Sequence, residues 1–213
     1  VVTIEGQLTD VGDTENKITS VKVMNGTVDV TASYPKISTI NGKLTVTPRT
    51  VILTSGSAEK EYDGTPLTNA TVTVSGSGFA AGEGAVYDVT GSQTEAGSSA
   101  NAFTYQLNDG TKKDNYNITK AEGTLNVTKR LATITVTAGN DSKKYDGTEL
   151  RSNTYSSTGK LADGETLLVM VEGSITNVGS TENKVASVKV MRGEKEVTSN
   201  YENIVKVSGT LTV

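Results

Sequence analysis

An all-β fold made of repeated modules follows from three observations. The chain contains long copies of itself, its strand candidates alternate polar and apolar residues, and turn residues recur about every ten positions. No window carries an apolar stripe at helical spacing over three turns. Short alternating runs between frequent turns predict antiparallel β-sandwich modules, and the repeats predict that these stand end to end. Periodicity does not reveal strand order, so a β-grasp-like sheet is the alternative.

The self-match sets the modules. Val2-Thr3-Ile4-Glu5-Gly6 returns as Val169-Met170-Val171-Glu172-Gly173, Thr14 to Lys17 as Thr181 to Lys184, and Gly42 to Val46 as Gly209 to Val213. The offset is 167 throughout, without a gap, and about half the positions are identical. A more diverged copy lies between them, from Gly91-Ser92-Gln93-Thr94 through Asn115-Tyr116 to Gly123-Thr124-Leu125-Asn126-Val127. Lys60-Glu61-Tyr62-Asp63-Gly64-Thr65 and Lys143-Lys144-Tyr145-Asp146-Gly147-Thr148 precede two of the three copies. The chain thus divides into 1–49, the second half of a module, and two full modules at 50–130 and 131–213. Opening in mid-module predicts a piece of a longer protein.

The elements follow in order. Val1 to Leu8 is a strand candidate broken at Glu5-Gly6. Thr9 to Asn16 is polar and reads as a loop or turn. Thr19 to Val23 alternates, with Val21 and Val23 on one face. Asn25-Gly26 predicts a type I′ hairpin turn, because both residues tolerate positive φ, and Val28 and Val30 begin the return strand. Tyr34-Pro35 ends the pairing, since Pro donates nothing to a ladder. Ile37 to Ile40 and Leu44 to Val46 supply a last strand or strand pair. The joints Thr47-Pro48-Arg49 and Thr128-Lys129-Arg130 are short and predict little freedom between modules. Beyond them come strands at Val51 to Thr54, Val72 to Val74, Tyr87 to Val89, Ala132 to Val136, Leu167 to Val171 and Val185 to Met191. Phe79 to Gly84 is a loop. Phe103, Tyr105 and Leu107 alternate ahead of Asp109-Gly110.

Composition narrows the function classes. The chain has 213 residues, a net charge of −4, and no Trp, Cys or His. The missing Cys excludes disulfides, thiolate metal sites and Cys nucleophiles. Without His the commonest general base and the commonest metal ligand are gone. The interspersed charges are no nucleic-acid footprint, which needs clustered Lys and Arg. No apolar run spans a bilayer, and no signal peptide or anchor is evident.

Several motifs invite a functional reading. Tyr62-Asp63-Gly64 and Tyr145-Asp146-Gly147 carry groups that contact carbohydrate or calcium. Asp-Gly is also a turn pair, with Asp accepting from the backbone two residues on, and a corner repeated once per module reads as fold-defining. Asp109 to Asp114 and Asp163-Gly164-Glu165 match no calcium loop and read as solvated turns. Lys143, Glu172 and Asn183 have the residue types for a Lys–Asn isopeptide bond. Thr14 to Lys17 and Thr181 to Lys184 read as solvated turns rather than catalytic pairs. Tyr34, Tyr105, Tyr116, Tyr155 and Tyr201 would have to form a patch to bind a glycan; most alternate with core residues or precede turns, which predicts burial. No catalytic, cofactor-binding or metal-binding residue is assigned, no cofactor is expected, and the binding residues are unknown.

Taken together, Thr47-Pro48-Arg49, Lys60 to Asn69, Tyr87 to Thr94, Asn115-Tyr116 and Gly123 to Thr128 resemble the YDG-type and related MBG-type repeats of bacterial extracellular proteins, notably wall-anchored adhesins of Gram-positive bacteria. The resemblance covers essentially the whole chain. It implies Ig-like all-β modules and a non-enzymatic stalk or adhesive segment, extracellular and attached to the cell surface or cell wall. Its partners would be adjacent modules of the chain and a host or cell-wall glycan or protein, with no nucleic acid. The rival readings are a glycan- or protein-binding module in its own right and an accessory β-domain of a larger secreted enzyme.

Overall fold

A computed structural model describes all residues, 1–213. The chain is all-β: twenty-one strands and three single-turn 3-10 helices. It forms two compact units. The first comprises 1–54, 72–88 and 104–121, the second 55–71, 89–103 and 122–213.

In the first unit, Val2–Glu5, Gly12–Val21 and Gly42–Val46 form an antiparallel sheet with Gly12–Val21 in the centre. A second sheet places Arg49–Ser55 between Tyr116–Ala121 and Val72–Gly76. Val51, Leu53, Ser55 and Tyr116 are its buried residues. The loop expected over residues 9–16 is largely strand, because Gly12–Val21 runs unbroken through it. Thr14, Asn16 and Ile18 sit half-buried between exposed Asp13, Glu15 and Lys17. The period of two is intact, but polar side chains occupy its inward positions and hide it.

The first hairpin pairs Asn25 with Val28, so Gly26 and Thr27 are its two central residues. Only Gly26 has positive φ, +60°. That is the type II′ pattern, with glycine first, rather than the type I′ turn predicted for Asn25-Gly26. The strand expected over residues 37–40 does not form.

The second unit holds three sheets. Thr124–Thr128 lies between Gly97–Ala100 and Ala58–Glu61. Ile134–Ala138 lies between Tyr155–Thr158 and Ile204–Val207. The long strand Ser180–Arg192 pairs with Glu165–Glu172 along one stretch and with Gly209–Thr212 along another. The segment 181–184 therefore lies in a strand and not in a turn. Tyr62, Val127, Ile134, Val136, Val185, Val190, Val197 and Tyr201 belong to one buried core.

Pairing is not purely antiparallel, which corrects the expectation. Arg49–Ser55 runs parallel to Tyr116–Ala121, Ala58–Glu61 to Thr124–Thr128, Ile134–Ala138 to Ile204–Val207, and Asp141–Ser142 to Gly209–Thr212. Each parallel pair joins an early strand of a module to a late one. Such neighbours need long crossovers and have no hairpin turn to announce them.

The copies share packing detail as well as sequence. Asn101 and Asn183 are buried, and each donates through its side-chain nitrogen to two backbone carbonyls: Gly56 and Asn69 at 2.8 Å, Gly139 at 2.8 Å and Ser152 at 3.1 Å. Each Asn oxygen abuts a glycine. A Cβ on Gly91 would lie 2.2 Å from Asn101 Oδ1, and one on Gly173 2.7 Å from Asn183 Oδ1. Backbone–side chain contact this close admits only glycine. It leaves the carbonyl oxygen against a Cα–H, a weak hydrogen-bond donor.

Candidate functional site

The Tyr-Asp-Gly corners are built alike. Asp63 Oδ1 accepts from the Thr65 backbone N–H at 2.8 Å and from Lys60 Nζ at 2.7 Å. Asp146 Oδ1 accepts from the Thr148 N–H at 2.9 Å and from Lys143 Nζ at 2.8 Å. In both, the lysine contact and the threonine donors hold the carboxyl well below the usual aspartate range. Gly64 and Gly147 turn the chain with φ of +83° and +80°.

Their tyrosines part company. Tyr145 is 59% exposed, whereas Tyr62 is fully buried. The Tyr62 hydroxyl donates to Glu165 Oε1 at 2.5 Å, more than a hundred residues along the chain. Glu165 also accepts from the Tyr201 hydroxyl and, at 3.0 Å, from Arg192 Nη2. Its side chain is 0% exposed. The Tyr62 and Tyr201 rings meet edge to face at 6.0 Å, and the Arg192 guanidinium lies 5.6 Å from the Tyr62 ring centre. Ring quadrupole, cation and carboxylate are mutually complementary in this arrangement. Gly64 closes the corner, since a Cβ there would fall 1.9 Å from Arg192 Nη2.

Burial and the hydrogen bond to Glu165 both disfavour phenolate. Burial acts first and the acceptor second, and together they push Tyr201 up to about 12 and Tyr62 further still. The solvated turn expected at Asp163-Gly164-Glu165 therefore ends in a buried carboxylate. Sequence reasoning missed Glu165 because its partners, Tyr62, Arg192 and Tyr201, are remote in the chain.

A second contact adjoins the first. Asn200 Oδ1 accepts from the Ala96 backbone N–H at 2.8 Å, and its side-chain nitrogen donates to Glu95. Lys195 Nζ donates to Glu95 Oε1 at 2.6 Å. Partial burial acts to raise the Glu95 pKa, but the Lys195 and Asn200 donors outweigh it and the net shift is downward. Arg130, from the second joint, donates to the Tyr62 carbonyl at 3.2 Å. The first unit contains a related set. Asn115 Oδ1 accepts from the Val11 N–H at 2.8 Å, its nitrogen donates to Asp10 at 2.9 Å, and Lys112 reaches Asp10 at 2.5 Å. The Tyr116 hydroxyl donates to Glu83 at 2.7 Å and accepts from the Ala80 N–H at 3.0 Å, as Tyr201 accepts from the Ala162 N–H at 2.8 Å.

Other sequence candidates are not brought together. Lys143 is held by Asp146 and Thr148, Asn183 by Gly139 and Ser152, and Glu172 lies on an exposed strand position opposite Lys184. Tyr116 and Tyr201 are buried, Tyr105 is half-buried, and Tyr34 and Tyr155 are exposed, against the expectation of burial for most. Asp109 to Asp114 form a turn and a 3-10 helix. No group of three acidic, His or Cys side chains is placed to hold a metal ion, and no helix is long and apolar enough to cross a membrane. No family model, no curated protein and no solved structure matches the chain.

Proposed function

We propose that this chain is a non-enzymatic structural or adhesive segment of an extracellular bacterial surface protein, acting as a stalk or spacer of Ig-like modules. The observation that supports the reading is the Tyr62–Glu165–Arg192–Tyr201 contact. It ties the Tyr-Asp-Gly corner of repeat 50–130 into the core of repeat 131–213 through a buried carboxylate. A spacer benefits from such joints, because module boundaries that resist bending keep the far end of an array away from its anchoring surface. The parallel ladders favour β-grasp-like modules as the alternative architecture. Small-angle scattering tests the function. An elongated particle whose flexibility increases in Tyr62→Ala is expected; a compact globule in both chains overturns the reading.

A second reading, a module that binds a protein, draws on one surface. Leu168 and Met170 are exposed on the edge strand Glu165–Glu172, beside a groove of about 370 Å³ that also includes Asn153 and Lys189. Saturable binding of a host protein, abolished by Met170→Glu in a chain that still folds, would promote it.

A further inference from the structure

The strand Glu165–Glu172 stands at the edge of its sheet, with Ser180–Arg192 as its one neighbour. From Thr166 to Glu172 its backbone hydrogen-bonds to no other segment of the chain. Its centre is five apolar residues in a row, Leu167-Leu168-Val169-Met170-Val171. Leu167, Val169 and Val171 pack against the core yet stay half-buried, and Leu168 and Met170 on the other face are 58% and 56% exposed. Edges are ordinarily blunted by a charge, a Pro or a bulge. None lies within this run, because the one irregularity of the ladder skips Ala186 on the neighbouring strand and leaves the free side regular.

The open edge belongs to the module. The middle repeat has sequence on both sides, and its counterpart strand, Ala85–Val89, also has a single neighbour, Phe103–Leu107. What differs is the residue that meets solvent there. Met170 aligns with Asp88 in the middle copy and with Thr3 in the first. Asp88 is exposed on its edge strand and supplies the charge that discourages pairing. The apolar run is unbroken in repeat 131–213 alone.

The run is complementary to itself. Residues directly opposite in an antiparallel pair project to the same face. With a twofold axis at Val169, Leu168 lies opposite Met170 and Leu167 opposite Val171, so apolar meets apolar on both faces. Glu172 lies opposite Thr166, Glu165 opposite Gly173, and no like charges face each other. Moving the axis to Leu168 sets Val171 against Glu165, and moving it to Met170 sets Leu168 against Glu172. A slip by one residue turns core-facing side chains against outward ones. A parallel pairing in register stacks Glu172 on Glu172, which is destabilising. One register therefore satisfies the whole strand.

We propose that Glu165–Glu172 is a homophilic contact, pairing antiparallel with the same strand of a second copy of this chain about a twofold axis at Val169. Main-chain hydrogen bonds along the free edge supply affinity, and the Leu168–Met170 contacts, made twice, fix the register. The contact is isologous and uses up the edge it needs, so association stops at the dimer. The proposal is independent of the spacer reading. It rests on the surface of the second reading and names a second copy as its partner.

Sedimentation of the full chain over a concentration series is expected to show a monomer–dimer equilibrium with no larger species. Met170→Asp, which installs the residue of the middle copy, is expected to raise the dissociation constant at least about tenfold through lost apolar burial, with the urea midpoint unchanged. A monomer at every concentration up to about 1 mM, a dimer indifferent to Met170→Asp, or open-ended growth overturns the proposal. Thiol cross-linking reads the register, since the chain has no cysteine of its own. Opposite Cβ atoms are about 5 Å apart and diagonal ones about 7 Å, and a disulfide needs the closer pair. A mixture of Leu168→Cys and Met170→Cys chains is expected to form a disulfide dimer far faster than either variant alone. Equal cross-linking by one variant alone overturns the twofold pairing. Binding of a host protein by a chain that stays monomeric keeps the second reading and overturns this one.

Discussion

The Glu165 carboxylate is closed to solvent, and three donors converge on it. Taking a carboxylate out of water costs several kcal/mol, and paired donors have to offset that. Removing the acceptor leaves two buried hydroxyls without theirs and the guanidinium with only the Tyr62 hydroxyl oxygen, at 3.1 Å. Glu165→Ala is therefore expected to destabilise the second unit by about 3 kcal/mol in urea titration. Tyr62→Phe keeps the ring and deletes one donor, with an expected loss of about 2 kcal/mol. The same site sets an alkaline limit. Tyrosine in an unfolded chain ionises near pH 10, while folded Tyr201 holds its proton to about 12. Between these values the unfolded state binds fewer protons than the folded state, so stability falls as pH rises. Melting temperature is expected to drop from about pH 10 upward, and less steeply in Tyr62→Phe. A flat profile would mean the two phenols are not held as described.

At the scale of elements, the Asn–Gly contact in each repeat governs how early and late strands meet. Gly91→Ala would drive a methyl into Asn101, whose Cα lies 2.6 Å from the position the new Cβ would take and whose oxygen lies nearer still. Backbone cannot retreat as a flexible side chain can. The expected cost is about 2 kcal/mol, at the level of core overpacking, read as a lowered denaturation midpoint with an unchanged m-value. The strand placement also bears on covalent cross-links. Lys143 and Asn183 are engaged with different partners, so the intact mass is expected to equal that of the unmodified sequence. A deficit of about 17 Da, one ammonia, would show that a stapling bond restricts the unfolded chain as other cross-links do.

For the whole molecule, charge contributes little outside the buried cluster. The Lys43–Asp13, Arg151–Glu149 and Lys189–Glu196 pairs are exposed on both sides. Exposed pairs are worth about 0–1 kcal/mol and are screened by salt. Raising sodium chloride to about 1 M, where the Debye length is about 3 Å, is expected to leave the urea midpoint almost unchanged. A large fall would assign the surface pairs a role their exposure does not support.

Strand positions and turns were legible in the sequence wherever the signal was local. The Asp63-Gly64 and Asp146-Gly147 corners and the repeats needed no third dimension, and Val21 and Val23 are half-buried about exposed Lys22 as their alternation predicts, although the strand ends at Val21 and not at Val23; period and turn chemistry depend on near neighbours. Local reading failed where polar residues face inward, as along residues 14–17, and it shifted the Gly26 hairpin by one position. Only the tertiary structure decided the parallel ladders and the fate of each Tyr-Asp-Gly tyrosine. Tyr62 and Tyr145 sit in nearly the same local sequence, yet one is buried against Glu165 and the other faces solvent. The sequence by itself determined that each corner would turn and carry a tyrosine at its start. What that tyrosine touches depends on segments more than a hundred residues away, and no local pattern encodes their approach.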